Sequence, residues 1–396
     1  MGDLYRSFVS GFCSHDNIQV TGSGEGPLAG LTFAVKDIID VAGQTTGGGN
    51  PDWYHSHEPA TRHATAVQRV LDAGADMVGK TITEEFAYGL IGENYHYGTP
   101  VNPRVEGGVP GGSSSGSASV VANGQADFAL GTDTGGSVRV PASFCGLYGI
   151  RPSHGRVSLD GIMPLAPSLD TCGWFARDAG LLRTIGSVLL DESLAVPAQR
   201  VFLAEDAFDL ADDNVREALE SAIARVEERV GALQVLRPSE LAELRGYDLW
   251  KSTIQVIRGS EAATSHLAWM RESEAEMGPG FRDRFEAGAA YTPGEIADAK
   301  SRRALVESYM ADLLGDNAVM LVPAAPSAAP QGGADEAVYD RLRNNNEMYN
   351  CTAPLARLPQ VSVPLGETPN GPVGLGLIAG HGNDEMLLDL AVALID

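Results

Sequence analysis

This chain of 396 residues lacks several things, and each absence narrows what it can be. No run of about 18 apolar residues occurs, so nothing reads as a membrane-spanning helix. The first residues, MGDLYRSFVSGFC, lack the long apolar stretch of a secretory leader, and Arg6 stands where a myristoylation motif at Gly2 wants Ser or Thr. The four cysteines, Cys13, Cys145, Cys172 and Cys351, are scattered with no CxxC pair. That excludes a zinc knuckle or disulfide framework and predicts reduced thiols in a cytoplasmic protein. The sequon Asn350-Cys351-Thr352 carries little weight without secretion. Basic residues are few: 28 Lys and Arg against 52 Asp and Glu, a net charge of −24. Such a surface repels phosphate backbones and anionic bilayers, so neither nucleic acid nor membrane is an expected partner. Glycine and proline, 47 and 22 residues, are too few and too irregular for a collagenous or low-complexity chain. HExxH and GxSxG are both missing, and His55 with His57 has no third ligand nearby in sequence. No metal site is therefore expected, and the usual elbow of a Ser-His-Asp hydrolase is absent.

What remains is a globular mix with 43% hydrophobic and 20% charged residues, enough for a large core. Residues 31–41, LTFAVKDIIDV, begin as a buried strand that Lys36 ends. Residues 42–62 read as loop around Gly47-Gly48-Gly49-Asn50-Pro51. Val67, Val70 and Leu71 sit at helical spacing in 64–73, Gly74 stops that helix, and Ala75 to Val78 follows as a strand. Residues 118–130 suit a helix and then a strand. Val215, Leu219, Ile223, Val226 and Val230 share one face of a helix over 214–230. Residues 260–315 look helical and exposed. Strands at 320–322, 360–364 and 373–379 and a helix over 384–395 close the chain. Strands alternating with helices, without repeats or a long linker, predict an α/β protein.

One motif match misleads. Gly74 to Thr81 satisfies the GxxxxGK[ST] phosphate loop, which requires a strand before its first glycine and a helix opening at its lysine. Here the order is helix, then strand, so Gly74 becomes a helix stop and Lys80 a strand-end lysine, and no nucleotide is expected.

Two glycine–serine clusters carry more, Gly111 to Ser117 and Gly131 to Ser137. They are too dense for strand or helix interiors. Successive N–H groups in such loops form anion-binding nests, and a serine at the end of a nest is well placed as a nucleophile. A pair of turns or a phosphate cradle fits the composition equally.

The stretch PGGSSSGSASVVANGQADFALGTDTGGSVRVPASFCGLYGIRPSHGRVS resembles the defining segment of the amidase signature family. AVKDIID supplies that family's lysine upstream, and serines 113 and 137 stand at its characteristic spacing. GKTITEEFAYG, NPRVEGGVPGG and SLDTCGWFARD fall where the family has similar words. The words GNPDW, GENYHYGTP and GGSSSGSA look most like the small indole-3-acetamide hydrolase type. The likeness is strong over 30–180 and weaker at the closing strands. It departs from the family in a short segment before Lys36 and in Ser115, where a glycine is usual.

The resemblance implies a Ser-Ser-Lys triad: Ser137 as nucleophile, Ser113 as the bridging serine on a cis Gly112–Ser113 peptide, and Lys36 as base. It implies an oxyanion hole from the backbone N–H groups of Thr134, Gly135, Gly136 and Ser137. Ser114 would orient the triad, and Asp133 and Arg139 would fix the loops. The implied fold is a single α/β/α layered domain over 1–396, a large mixed sheet covered by helices on both faces. Residues 200–315 form a mostly helical section that contributes to the substrate cavity. The implied reaction converts a small carboxamide to the acid and ammonia, without metal or cofactor, through an acyl-enzyme. Two other readings are the glutaminase subunit of a tRNA-dependent amidotransferase and an inactive amidase-like receptor or scaffold. A homodimer is left open. Candidate substrate contacts are Phe86, Tyr88, Met163 and Trp174, within a wider aromatic set of Trp53, Tyr54, Tyr95 and Tyr97. These rings predict a preference for aryl-acetamides over acetamide, and the net acidity predicts poor use of anionic amides unless local charge reverses it.

Overall fold

The computed structural model describes residues 7–15, 18–190, 196–240 and 244–395, so the residues of the myristoylation question, Gly2 and Arg6, lie outside it. The strands are β1 (Phe8–Val9), β2 (Thr32–Lys36), β3 (Asp76–Thr81), β4 (Thr99–Pro100), β5 (Phe128–Asp133), β6 (Tyr148–Arg151), β7 (Thr171–Ala176), β8 (Arg200–Ala204), β9 (Leu233–Leu236), β10 (Ala318–Pro323), β11 (Gln360–Thr368) and β12 (Gly371–Ala379). The helices are α1 (Pro51–Ser56), α2 (Thr65–Asp72), α3 (Ser115–Ala122), α4 (Arg139–Cys145), α5 (Ala179–Leu189), α6 (Glu205–Phe208), α7 (Asp213–Val230), α8 (Tyr247–Ser273), α9 (Phe281–Ala289), α10 (Pro293–Leu314), α11 (Glu336–Asn350), α12 (Thr352–Leu355) and α13 (Asp384–Ala393).

Ten strands form one mixed sheet in the order β3-β2-β5-β7-β6-β11-β12-β10-β8-β9. Both edges are parallel, β3-β2-β5 and β10-β8-β9, and the centre from β5 to β10 is antiparallel. Side chains alternate between the two faces with period two. Phe33 and Val35 of β2, Phe128 and Leu130 of β5, and Trp174 of β7 join a core with α2, α5, α7 and α13. Ala34, Ala129 and Phe175 point the other way, onto α3 and α4. Phe202, Met320 and Val322 continue that second face under α8 and α10. This is an α/β fold with helices on both sides of a large mixed sheet. Among the described residues no helix is long and apolar enough to cross a membrane.

The structure corrects the reading of 42–62 as loop. Asn50 Oδ1 caps α1, accepting from the Asp52 and Trp53 amides at 2.9 and 3.1 Å, and Pro51 occupies the first turn. The glycine–serine clusters, expected outside regular elements, straddle element ends. Ser115, Gly116 and Ser117 open α3, and Gly131 to Asp133 end β5. Dense serine and glycine are tolerated there because the first turn of α3 is packed against β2, β3 and β5, and tertiary contact outweighs helix propensity.

Candidate active site

Three chain segments meet beside the sheet. Lys36 ends β2, Ser113 precedes α3, and Ser137 precedes α4 after the turn that leaves β5. Lys36 and Ser113 are wholly buried and Ser137 is 3% exposed. Lys36 Nζ lies 2.8 Å from Ser113 Oγ and 2.9 Å from Thr132 Oγ1. The Gly112–Ser113 peptide is cis. Ser114 sits between the segments: its amide donates to the Ser137 carbonyl at 3.3 Å and its hydroxyl donates to the Thr132 carbonyl at 3.1 Å. A side chain on Gly131 would start 2.8 Å from Ser114 Oγ, so this strand position admits only glycine.

The Asp133–Ser137 turn is fixed at both ends. Arg139 Nε and Nη2 donate to Asp133 Oδ2 and Oδ1 at 2.9 and 2.8 Å, and Arg151 Nη1 donates to the Asp133 carbonyl at 2.5 Å. Burial alone would raise the Asp133 carboxyl, but the two guanidiniums outweigh it and hold it well below the usual carboxylate range. Thr134 Oγ1 donates to Asp170 Oδ1 at 2.5 Å, and the Leu165 and Ala166 amides fix the other oxygen of Asp170 at 2.9 Å. The Gly136 amide donates to Asp133 Oδ1 at 2.9 Å. That amide, one of the four expected to face an oxyanion, is therefore engaged by the Asp133 carboxylate.

Burial lowers the Lys36 ammonium to about 7, against the opposing pull of the Glu84, Asp133 and Asp170 charges. A lysine in that range exists substantially as the free amine near neutral pH, the form able to accept a proton. Glu84 is itself pushed up to about 7 by burial, opposed by the Gly92 and Ile91 amides and the Arg284 and Arg343 charges. Its carboxylate lies directly under the serine loop, since a side chain on Gly112 would run into Glu84 Oε2.

Ser137, Thr134 and Gly135 open onto a cavity of about 250 Å³. Its outer wall comes from α8, α9 and their flanks, through Gln255, Arg258, Arg284 and Tyr291. The proposed substrate contacts separate here. Tyr88 lines the cavity. Phe86 lies behind it, 1% exposed, in a ring cluster with Trp53 at 5.3 Å and His266 at 5.0 Å. Met163 packs over Gly48 in the adjoining core and is not among the lining residues. Trp174 is a correction: it is fully buried on the α5 side of the sheet, where its indole N–H donates to the Leu182 carbonyl at 3.0 Å. Strand alternation turns it away from α3 and α4. Of the wider aromatic set, Trp53, Tyr54, Tyr95 and Tyr97 are also missing from the lining.

Sequence reasoning missed Thr132, Asp170, Glu84 and every arginine of the cavity. A buried threonine or glutamate carries no local signal, and the arginines lie in helices without a motif. Lys80, the decoy lysine, is buried in β3 and pairs with Asp37 Oδ1 at 2.8 Å. Cys13, His15 and Asp37 offer ligand atoms within 4.8 Å of one another. Asp37 already serves Lys80 at 2.8 Å and His15 at 2.9 Å, so a metal there would have to displace an ammonium.

The family model described as Amidase matches residues 14–388. Amidase 1 of Arabidopsis thaliana is 38% identical over 401 residues, covering 94% of this chain and 94% of that protein. A glutamyl-tRNA(Gln) amidotransferase subunit of Natronomonas pharaonis is 34% identical over 429 residues, covering 97% of this chain and 99% of that protein. A solved crystal structure of an amidase superposes with a TM-score of 0.84 at 29% identity, covering 94% of this chain and 85% of that one.

Proposed function

The chain belongs to the amidase family and is an amidase-type hydrolase; from that premise we propose that it converts a small carboxamide to the free acid and ammonia through Ser137, Ser113 and Lys36. The observation that carries this reading is the buried contact of Lys36 Nζ with Ser113 Oγ at 2.8 Å, beside a serine that opens onto the cavity. The neutral amine of Lys36 accepts the proton of Ser113, and Ser113 accepts that of Ser137. Ser137 Oγ attacks the amide carbon, and the amides of Thr134, Gly135 and Ser137 receive the developing oxyanion. Collapse breaks the C–N bond, and the proton held on Lys36 returns through Ser113 to the leaving nitrogen, which departs as ammonia. Water then attacks the ester, giving up its proton along the same relay, and the carboxylic acid leaves with Ser137 restored. We read residues 1–396 as one catalytic unit, because a single sheet uses strands from β2 to β12.

A fluorophosphonate probe tests the reading. The adduct is expected on Ser137 by peptide mass mapping, and Ser137→Ala is expected to abolish labelling and ammonia release together. Retained turnover in that variant removes the assignment. The likeness to an amidotransferase component supports a second reading, hydrolysis of glutamine for a partner. A clear preference for glutamine over other primary amides would favour it.

A further inference from the structure

The cavity carries charge opposite in sign to the molecule. The chain as a whole has a net charge of −24. The charged residues lining the cavity beside Ser137 are nevertheless Arg258, Arg284, Arg343 and Glu347, three cations and one anion. Like charges gathered in a half-enclosed, low-dielectric space repel one another, and a neutral acyl group would leave that repulsion in place.

The partners of these four groups decide where an anion would sit. Glu347 neutralises one cation, accepting from Arg258 Nη2 at 2.5 Å and from Gln255 Nε2 at 2.6 Å. Arg343 reaches outward to the exposed Asp340 at 2.7 Å. Arg284 has no carboxylate at ion-pair distance among the described residues, although its charge acts on the buried carboxyl of Glu84. Its Nη1 donates to the Tyr88 carbonyl at 3.0 Å, and its guanidinium stands 5.6 Å from the Phe281 ring centre. Arg258 is 8% exposed, and its Nε has no hydrogen-bond partner among the described residues. Its Nη1 would lie only 3.5 Å from a methyl group placed on Gly135, in the turn that ends at Ser137. A guanidinium held from one side by Glu347 therefore turns its Nη1 toward the turn that ends at Ser137, and a second guanidinium, without a carboxylate at ion-pair distance, stands in the same wall.

We propose that the cavity selects acyl groups ending in a carboxylate, so that the substrates are monoamides of short dicarboxylic acids, with the amide at Ser137 and the distal carboxylate held by Arg284 and Arg258. The inference rests on the amide-hydrolase reading of Ser137 and replaces the expectation, drawn from net charge alone, that anionic amides are poor substrates. The chain between the two groups is short, because Arg258 abuts the Gly135 turn. A guanidinium grips a carboxylate through two parallel hydrogen bonds, which gives discrimination as well as attraction.

Binding to the Ser137→Ala protein, measured by calorimetry at low salt, separates recognition from turnover. Succinamate is expected to bind at least about tenfold more tightly than butyramide, a chain of the same length without the charge. Adding salt should erode that ratio. Arg284→Gln and Arg258→Gln, each in the Ser137→Ala background, are expected to reduce the ratio about tenfold, and Arg284→Lys, which keeps the charge but not the fork, to fall between Arg284→Gln and the parent. Equal affinities in the parent protein, or a ratio indifferent to both glutamine substitutions, overturn the proposal. Ammonia release by the unsubstituted protein reports on the other reading. Turnover of both amides with equal affinities keeps the hydrolase and removes the anion site. Arginine-dependent succinamate binding without any ammonia keeps the anion site and removes the hydrolase.

Discussion

Lys36 Nζ and Ser113 Oγ stand 2.8 Å apart with both side chains wholly buried. An ammonium in that position donates to two hydroxyls, Ser113 and Thr132, and meets no carboxylate at ion-pair distance among the described residues. Desolvation is then the largest influence on it and favours the amine. The same two hydroxyls that accept from the ammonium can donate to the amine, so the pair tolerates both protonation states and can pass a proton between them.

The pH profile should reveal that state. With Lys36 lowered to about 7, kcat/KM is expected to fall on the acid side of about pH 7, as the amine is protonated, and to level off above it. The acid limb reports the free enzyme, so it can be read directly from kcat/KM against pH. Lys36→Ala should lose about three orders of magnitude or more while keeping its circular dichroism spectrum. Lys36→Arg should lose as much, since a guanidinium stays charged in proteins. Near-native activity in Lys36→Arg would make the residue a binding charge.

Glu84 gives a second handle on the same limb. Its carboxylate is the first of the charges that favour the ammonium of Lys36. Glu84→Gln removes that charge and retains the shape beneath Gly112. The Lys36 amine is then favoured at lower pH, and the acid limb is expected to move down by on the order of one unit. An upward shift, or none, would mean that Glu84 acts only by supporting the loop.

Arg139 should matter to stability before chemistry. It forms a two-pronged pair with Asp133, and both side chains are wholly inaccessible. Arg139→Met leaves that carboxylate with Arg151 alone, and denaturant unfolding is expected to show a loss of about 3–5 kcal/mol. The Asp133–Ser137 turn should loosen with it, so kcat should fall more than KM rises. Unchanged unfolding in Arg139→Met would place the hold on Asp133 in Arg151 and the backbone instead.

Much of this architecture is legible in the residues themselves. Leu31 to Val35 and Val67 to Leu71 announce a buried strand and the helix after it, because apolar period two and period 3.6 survive there without interruption. The serine positions stand out because glycine-dense loops are rare beside buried strands, whereas Lys36 stands out only through the resemblance to the amidase signature family. The cavity was not legible. Arg258 and Arg284 sit on helices α8 and α9, whose exposed residues are also charged, and only packing distinguishes a cation facing the cavity from one facing solvent. Trp174 failed for the converse reason: its place within the SLDTCGWFARD motif says nothing about which face of β7 it occupies.

Lys80 tests whether motif or context decides. Gly74 to Thr81 fits the phosphate-loop pattern, yet α2 precedes it, β3 takes up its last six residues, and Lys80 is buried against Asp37 at 2.8 Å. A phosphate-binding lysine has to reach a ligand at the mouth of a loop, and this one is spent inside the sheet edge. Calorimetry should therefore detect no ATP binding, and ATP should leave both the melting temperature and ammonia release unchanged. Lys80→Met should instead destabilise the protein by about 3 kcal/mol, because Asp37 loses its ammonium and keeps only His15 and the Gly47 amide among the described residues. The double variant Lys80→Met, Asp37→Leu should recover a good part of that loss, since removing both members of a buried pair takes away the unpaired charge. Measurable ATP binding that disappears in Lys80→Met would reverse the argument and make the segment a nucleotide site.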